Sequence, residues 1–563
     1  MNEFIKKHNE FFTFTALFVI FYLIFFFGTG SYPLMDIDET RYASMAHDMF
    51  RTGDYMTLYL NGEYFFEKPP LYFWFECLSF ALFSKVNEFT VRFPVSMMGF
   101  LSSFLVYFVG KKVVSKEFGI ISALILATSA EFFILSKFAI LDIVLCFCTT
   151  FSVFFGFMTL FCEERRRKYF WWLFYLFSGL AVLAKGIPGF VIPFGTMFFS
   201  YIVSKKFKEL FKPVFFIPGT IIFLCTVLPW HILMLKTHDP LFFNEYIMKH
   251  HLARFTTSAE LGRKQPFYFF ILTILGGFFP WTLPAIASCK IWLGKIFGFF
   301  KNGFDFENCG NYGKFLILNG IAAVLILLFF SSSSTKLVTY ILPIYPFLAC
   351  LAAPIFLCEK GNEYNKPVRI TEIILGSVFL AAGLIVPTVR YLTNVLNKIP
   401  SDNFIITFFI VVGLFLIIKK KLSKIVSFVI LMVGLSAFGI PYGFNVDYSF
   451  GQNDLINYAK AANFNNLQLA SFGFGKRYSL NYYYGKHVIY ETLPIYANLK
   501  FLLKDKNTVV VIKNKDFNEI KQNADFQIIE KGVKYTLIKG KNHGNESKSN
   551  SKRRRFRNVR NSK

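Results

Sequence analysis

Apolar runs of roughly twenty residues recur along most of the chain, and that is the length an α-helix needs to cross a bilayer. The runs are continuous rather than alternating. Because only helices and closed barrels satisfy their backbone groups in lipid, continuous runs mean helices. Thirteen candidate spans lie near 11–30, 92–112, 117–135, 140–161, 169–184, 187–204, 213–233, 267–288, 314–330, 337–356, 369–390, 403–419 and 424–441. Lys6 and Lys7 ahead of the first run resemble the start of a signal peptide, but the run is long and further spans follow, so it reads as a retained helix. The expected fold is an all-α polytopic membrane domain.

A net charge of +26 would suit a nucleic-acid partner, yet only 17% of the residues are charged and 54% are hydrophobic. Much of the Lys and Arg falls in short loops, where it fixes orientation in a membrane. Lys6–Lys7, Lys111–Lys112–Lys116, Arg165–Lys168, Lys205–Lys208, Lys290–Lys301, Lys360–Arg369 and Lys419–Lys424 occupy alternate connections. Those connections and the N-terminus are expected in the cytoplasm, with loops 31–91 and 234–266 outside. An odd span count puts the C-terminal part outside as well. No nucleic-acid partner is implied. Cys146, Cys148, Cys225 and Cys350 sit inside apolar runs without metal spacing and read as small buried hydrophobes.

From about 442 the texture changes. QLASFGF, HVIYET, TVVVIKN, FQIIEKG and YTLIKG are short alternating segments broken by Gly and Asn, the pattern of strands. Residues 442–540 are expected as a small α/β domain on the outer face, following a transmembrane catalytic domain over 1–441. The remainder, 541–563, reads as a disordered basic tail, either drawn to anionic head groups or merely solubilising. No internal repeat is visible.

Loop 31–91 is too long for a simple connector. Its apolar-periodic pieces, 39–51 and 69–84, suit helices lying in the membrane interface. Between them Lys68-Pro69-Pro70 cannot continue a helix, so Glu67 and Lys68 are expected on a rigid bend. Asp142 and Lys137 fall at an apolar helix, as an ion pair or as site groups. Lys185 ends another span, His250, His251 and Arg254 lie in the second outer loop, and Lys336 and Tyr340 begin a later span. An ionisable group in a span costs about 2.5–3.5 kcal/mol on insertion scales, which makes each a functional candidate. Scattered snorkelling would use both faces, whereas Asp36, Asp38, Glu39, Arg41, Glu67, Lys68, Asp142, Lys185, Arg254 and Lys336 all map to the outer one. They suit a mixed-charge cavity for a polyanionic, lipid-linked substrate.

Residues 36–74, DIDETRYASMAHDMFRTGDYMTLYLNGEYFFEKPPLYFW, resemble the first outer loop of the bacterial lipid A aminoarabinose transferases. That family belongs to the protein O-mannosyltransferase superfamily with the GT-C fold. LDIVL, AKGIPG, HHLARF, QPFYFF and KLVTYILP follow in family order. The resemblance covers roughly residues 1–445, fades in the C-terminal domain and is absent from the tail. It implies thirteen spans and a small periplasmic domain. It also implies transfer of a sugar from undecaprenyl phosphate to lipid A phosphates, by a monomer in the bacterial inner membrane. By motif match, Asp38, Glu39 and Asp142 are the catalytic acids, while Arg41, Tyr42, Lys68, Lys185, Arg254, Lys336 and Tyr340 bind substrate. Glu67 and His250 are the expected ligands of a divalent metal, zinc or magnesium or manganese. Lys249-His250-His251 departs here from the family's Glu-His-Asn.

Nucleotide sugars are cytoplasmic, so an outer-facing transferase needs a lipid-phosphate donor. Its leaving phosphate gains charge as the glycosidic bond breaks, which Lys68, Lys185 and Arg254 are suited to offset. A hydroxyl acceptor would need a carboxylate base, but an ionised lipid A phosphate would not. The sugar is expected to be an amino sugar such as aminoarabinose or galactosamine. The same motifs fit a transferase acting on protein or another glycan. A lipid-linked sugar flippase is the alternative of another class, disfavoured by the lack of repeats.

Overall fold

The computed structural model describes residues 2–253, 265–289, 305–357 and 451–541, with short pieces between 367 and 381, at 293, and between 410 and 434. The chain divides into two compact units. A helical unit takes Met1–Thr29, Phe66–Tyr72 and Arg92–Ile440, and a mixed unit takes Gly30–Phe65, Phe73–Val91 and Pro441–Lys563. The first loop therefore groups with the C-terminal region rather than with the helices that flank it in sequence.

In chain order the helices are α1 (Asn2–Phe25), α2 (Asp38–Thr52), α3 (Leu71–Phe83), α4 (Glu88–Val113), α5 (Lys116–Ala127), α6 (Ala130–Leu135), α7 (Asp142–Phe161), α8 (Glu164–Lys185), α9 (Ile187–Val203) and α10 (Pro213–His238). Both apolar pieces expected in the first loop form helices, α2 and α3. Among the described residues, α4, α7, α10, Glu307–Ser332 and Val338–Leu357 are each long and apolar enough to cross a membrane. A sixth span would come from Phe269–Gly277 with Thr282–Cys289, bent by 114°. This is the helix set of a multi-pass membrane protein. The expected spans at 369–390, 403–419 and 424–441 lie largely outside the described residues.

Two expected spans are broken, and the breaks share a cause. The stretch 117–135 stops at Thr128 and Ser129, whose hydroxyls bond back to Leu124 O at 2.5 Å and Ile125 O at 2.7 Å. Beside it, the bend after Gly277 frees the Phe279 carbonyl, which accepts the Ala130 N–H at 2.8 Å. Trp281 Nε1 donates to Thr128 Oγ1 at 2.9 Å. Backbone freed by each break is satisfied by the other, the condition under which irregular backbone survives at membrane depth.

Ser152 and Ser178 share a hydrogen bond of 2.8 Å between α7 and α8. Gly186, at φ 72°, ends α8, and α9 returns so closely that a Cβ on Gly189 would stand 2.2 Å from the Ala181 carbonyl. Such close approach needs a small residue. α7 is largely enclosed by protein, whereas α10 leaves most of its apolar surface exposed, as a lipid-facing helix should. Cys225 lies on α10 and is exposed, so the expectation that it is buried fails. Cys146, Cys148 and Cys350 are buried as expected.

In the mixed unit, Asn61 (φ 55°) and Gly62 (φ 83°) turn a hairpin of β1 (Tyr59–Leu60) and β2 (Glu63–Tyr64). Asn-Gly is the dipeptide a two-residue hairpin turn prefers. Each of the five alternating C-terminal segments forms a strand: β3 (Gln468–Phe472), β4 (Ile489–Glu491), β5 (Thr508–Lys513), β6 (Phe526–Lys531) and β7 (Tyr535–Gly540). They order as β4-β3-β5-β7-β6, with β3 parallel to β4 and β5, and β7 antiparallel to β5 and β6. Val509 and Val511 pack with Leu455 and Tyr458 on one face. Val510 and Ile512 pack with Leu499 and Ile520 on the other, so the central strand is buried on both sides.

The first loop is bolted to this sheet. Asp36 accepts hydrogen bonds from the Ser479 N–H at 2.8 Å and the Ser479 hydroxyl at 2.6 Å. Gln452 Nε2 donates to Leu34 O at 2.5 Å, and Tyr483 OH donates to Glu88 at 3.0 Å. Burial, reinforced by the Glu88 charge, raises the Tyr483 phenol well above its usual range, which keeps it a donor.

Candidate active site

Three of the expected site residues meet in the helical unit. Asp142 opens α7, where the positive end of the helix favours a carboxylate. Lys185 closes α8 just before the Gly186 turn. Tyr340 lies in the 3-10 turn Val338–Ile344. The Lys185 ammonium bonds directly to Asp142 Oδ1 and stands 3.8 Å from the centre of the Tyr340 ring, within cation–π range. Both charged side chains are largely covered, at 10% and 15% exposure. An ammonium has three donors, and one is used on Asp142, so Lys185 can also engage an anion.

Asp142 does not pair with Lys137, its neighbour in sequence. The Lys137 ammonium instead donates to Phe27 O at 2.6 Å, and Arg92 Nη1 donates to Thr29 O at 2.8 Å. Both buried cations fasten the segment after α1. A spacing of about one turn suggested the pair, but the chain between α6 and α7 is not helical, so no helical turn brings the two together. Lys336 is buried and donates to Ser333 O at 2.6 Å and Gln265 O at 3.2 Å. Burial lowers its pKa. The sequence reading missed Glu131 and Tyr345, a buried carboxylate and phenol 2.5 Å apart. Only the rule that a carboxylate in an apolar run is a candidate would have flagged Glu131.

In the mixed unit, Asp38 and Arg41 form an ion pair of 3.1 Å on the first turn of α2, with the Asp38 side chain 63% exposed. Arg41 Nη2 also reaches Tyr42 OH at 3.2 Å, and its guanidinium lies 5.0 Å from the Tyr42 ring. Glu39 is buried, and its Oε2 accepts the Met35 N–H at 2.8 Å. That bond ties down the entry to α2, a positioning task, while Asp38 is the carboxylate open to solvent.

Glu67 and Lys68 are half-buried on the expected non-helical bend before Pro69 and Pro70. Phe66 anchors that bend against His238 and Phe242, at ring separations of 5.3 and 5.5 Å. Arg254 and the side chains of His250 and His251 lie outside the described residues. Among the described residues no three His, Cys, Asp or Glu gather to hold a metal. Glu67 thus has no ligand set around it among those residues.

The family model for dolichyl-phosphate-mannose-protein mannosyltransferases matches residues 10–240. A transferase from Edwardsiella ictaluri, named undecaprenyl phosphate-alpha-4-amino-4-deoxy-L-arabinose arabinosyl transferase, is 28% identical over 390 residues, covering 68% of this chain and 66% of its own length. An uncharacterised Aquifex aeolicus protein is 27% identical over 363 residues, covering 64% of this chain and 67% of its own. In structure, ArnT from Cupriavidus metallidurans, crystallised with undecaprenyl phosphate, superposes with a TM-score of 0.73 at 18% identity, covering 93% of this chain and 98% of that one. The chain is a glycosyltransferase that shares the fold of ArnT. Its sequence match to the arabinosyl transferases spans about two thirds of their length, while the fold match spans nearly all of the crystallised relative.

Proposed function

We propose that this glycosyltransferase moves an amino sugar, aminoarabinose or galactosamine being the first candidates, from undecaprenyl phosphate to a lipid A phosphate at the periplasmic face of the bacterial inner membrane. The observation that carries the reading is the meeting of Asp142, Lys185 and Tyr340, distant in sequence, in one largely covered cluster whose ammonium keeps donors for an anion. The names of the relatives support the donor and the sugar.

In the proposed reaction an acceptor phosphate oxygen attacks the anomeric carbon as the bond from that carbon to the donor phosphate oxygen breaks. The bonding pair leaves with the polyprenyl phosphate. An acceptor that is already ionised gives up no proton, so no general base is needed. The leaving phosphate gains negative charge, which Lys185, Lys68 and Arg254 offset, the kind of electrostatic stabilisation that dominates such sites. Asp142 holds Lys185 in place beforehand, so the cation need not reorganise during transfer. Asp38 is assigned to orient the ammonium of an amino sugar, with Arg41 and Tyr42 supporting it.

Asp38→Asn and Lys68→Ala should each abolish transfer in membranes with expression intact, and wild-type activity in either would remove its assignment. Mass spectrometry of lipid A from cells with and without the protein tests donor and acceptor together. A missing amino-sugar increment on a phosphate is the expected result. The family model's name favours a protein acceptor as the second reading, which predicts unchanged lipid A and a lost protein glycoform.

A further inference from the structure

The mixed unit holds a cavity of about 270 Å³ that none of the candidate active-site residues line. Its walls come from the C-terminal half of α2, the β1–β2 hairpin and the turn between Tyr484 and β4. His47, Asp48, Arg51, Tyr59, Lys486 and His487 face it. Those walls are locked together. Asn61 Nδ2 donates to Val488 O at 2.9 Å, and Asn61 Oδ1 accepts from the Val488 N–H at 2.8 Å and from Asn481 Nδ2 at 2.6 Å. Gly62 and Gly485 sit opposite the imidazoles. A Cβ on Gly62 would stand 3.5 Å from the His487 ring, and one on Gly485 would stand 3.8 Å from the His47 ring. Residues 38 and 51 are separated by about 20 Å of helical rise, and the cavity runs along α2 from Ser44 to Thr52, past Asp38 and Arg41 in the chain.

The lining is rich in hydrogen-bond donors and carries two permanent cations against one carboxylate. Arg51 Nη2 is paired to Asp48 at 3.1 Å, which fixes the guanidinium and leaves further N–H groups. Lys486 donates to Asn466 at 2.7 Å and likewise keeps donors. Tyr59 supplies an aromatic face and a hydroxyl. Burial lowers the His47 pKa, so its imidazole is neutral at neutral pH and offers one donor and one acceptor to a hydroxyl group. Drug-sized pockets run from roughly 300 Å³ upward, so this one suits a ligand the size of one sugar ring.

We infer that this cavity is a binding site for a phosphate-bearing monosaccharide. Arg51 and Lys486 take the phosphate, and His47, His487 and Tyr59 take the ring. The inference does not depend on the transfer reaction proposed above. The head group of an anionic glycolipid and a free sugar phosphate share this chemistry.

Calorimetric titration of the full-length protein in detergent micelles with glucose 1-phosphate, inorganic phosphate and glucose tests it. Glucose 1-phosphate should bind at least tenfold more tightly than either fragment, and Arg51→Gln/Lys486→Gln should weaken it tenfold or more without shifting the melting temperature. Glucose binding as well as its phosphate, or inorganic phosphate binding as well as glucose 1-phosphate, would overturn the inference. So would an unchanged affinity in the double variant, or a loss found only in Lys68→Ala, which would assign the binding to the candidate active site. Competition by lipid A doped into the micelles separates the sources: displacement supports a glycolipid head group at this site, and its absence supports a soluble sugar phosphate there.

Discussion

In the helical unit, charged side chains are held deep among apolar neighbours by closely fitted partners. Lys185 sits on Asp142, Lys137 on the Phe27 carbonyl, and Arg92 on the Thr29 carbonyl. In the mixed unit, polar side chains clamp backbone groups in shared networks, as Asp36 does with Ser479 and Asn61 with Val488. The difference follows from the solvent. Where lipid surrounds the fold, no water replaces a lost partner, so each buried charge needs a dedicated counterpart. Where water is near, a lost bond is partly replaced, and the network can be redundant.

The largest effect should come from the Asp142–Lys185 pair. Removing one partner of a buried pair costs about 3–5 kcal/mol, because the other is left uncompensated. Asp142→Asn and Lys185→Met are each expected to lower the melting temperature in detergent and to reduce transfer at least hundredfold. The double variant should recover most of the stability and none of the transfer. A double variant as unstable as the singles would break the comparison, since the pair would then not be the unit of stability.

Asp36→Ala is next. Hydrogen bonds to a charged group contribute about 1.5–3 kcal/mol each and are not additive, so a net loss of about 2–3 kcal/mol is expected for the two from Ser479. Hydrogen exchange should rise in residues 478–484 and in loop 30–65 while α7 keeps its protection. Equal loss of protection across α7 would show that the two units do not open separately.

Gly189→Ala sharpens the comparison on the helical side. Its Cβ would meet Ala181 backbone at 2.2 Å, and backbone cannot move aside as a side chain can. A cost of about 1–3 kcal/mol from overpacking is expected, read as a lower melting temperature. Unchanged stability would mean that α8 and α9 separate freely.

How much of this was legible in the sequence follows the same division. Helices α7, α8 and α9 and all five C-terminal strands could be read, because a run of apolar residues or a period of two reports a local preference. The bend at Glu67 and Lys68 followed from two prolines. The breaks at Thr128 and Phe279 could not be read, since each is tolerated only because the other faces it across 150 residues of sequence. Spacing offered Asp142 as one possible partner for Lys137, whose acceptor is a carbonyl 110 residues away. The Asp142–Lys185–Tyr340 cluster was legible as three separate candidates, and only the fold shows them touching. Asp36 belonged to the acidic group that pointed to catalysis, yet it is spent on Ser479. Composition cannot separate a bolt from a catalytic carboxylate.

The smallest expected effect concerns His47, and it tests the aqueous half of the comparison. Its ring packs edge-on against Tyr482 at 6.3 Å, and its cavity is shared with Arg51, Asp48, Lys486 and His487. Burial lowers its pKa below the ordinary 6.5, against the pull of Asp48 and with the help of Arg51. The folded chain therefore takes up this proton less readily than the unfolded one. Stability from the neutral ring is complete above pH 6.5 and declines as pH falls through that value. Melting temperatures of the full-length protein between about pH 8 and pH 5.5 should show that decline, and His47→Gln should flatten it. Saturating glucose 1-phosphate should also flatten or reverse it, because an anion beside the ring favours the imidazolium form. A slope that survives His47→Gln would place the titrating group elsewhere. A slope removed by the substitution but unmoved by the ligand would leave the ring titrating out of reach of any bound phosphate.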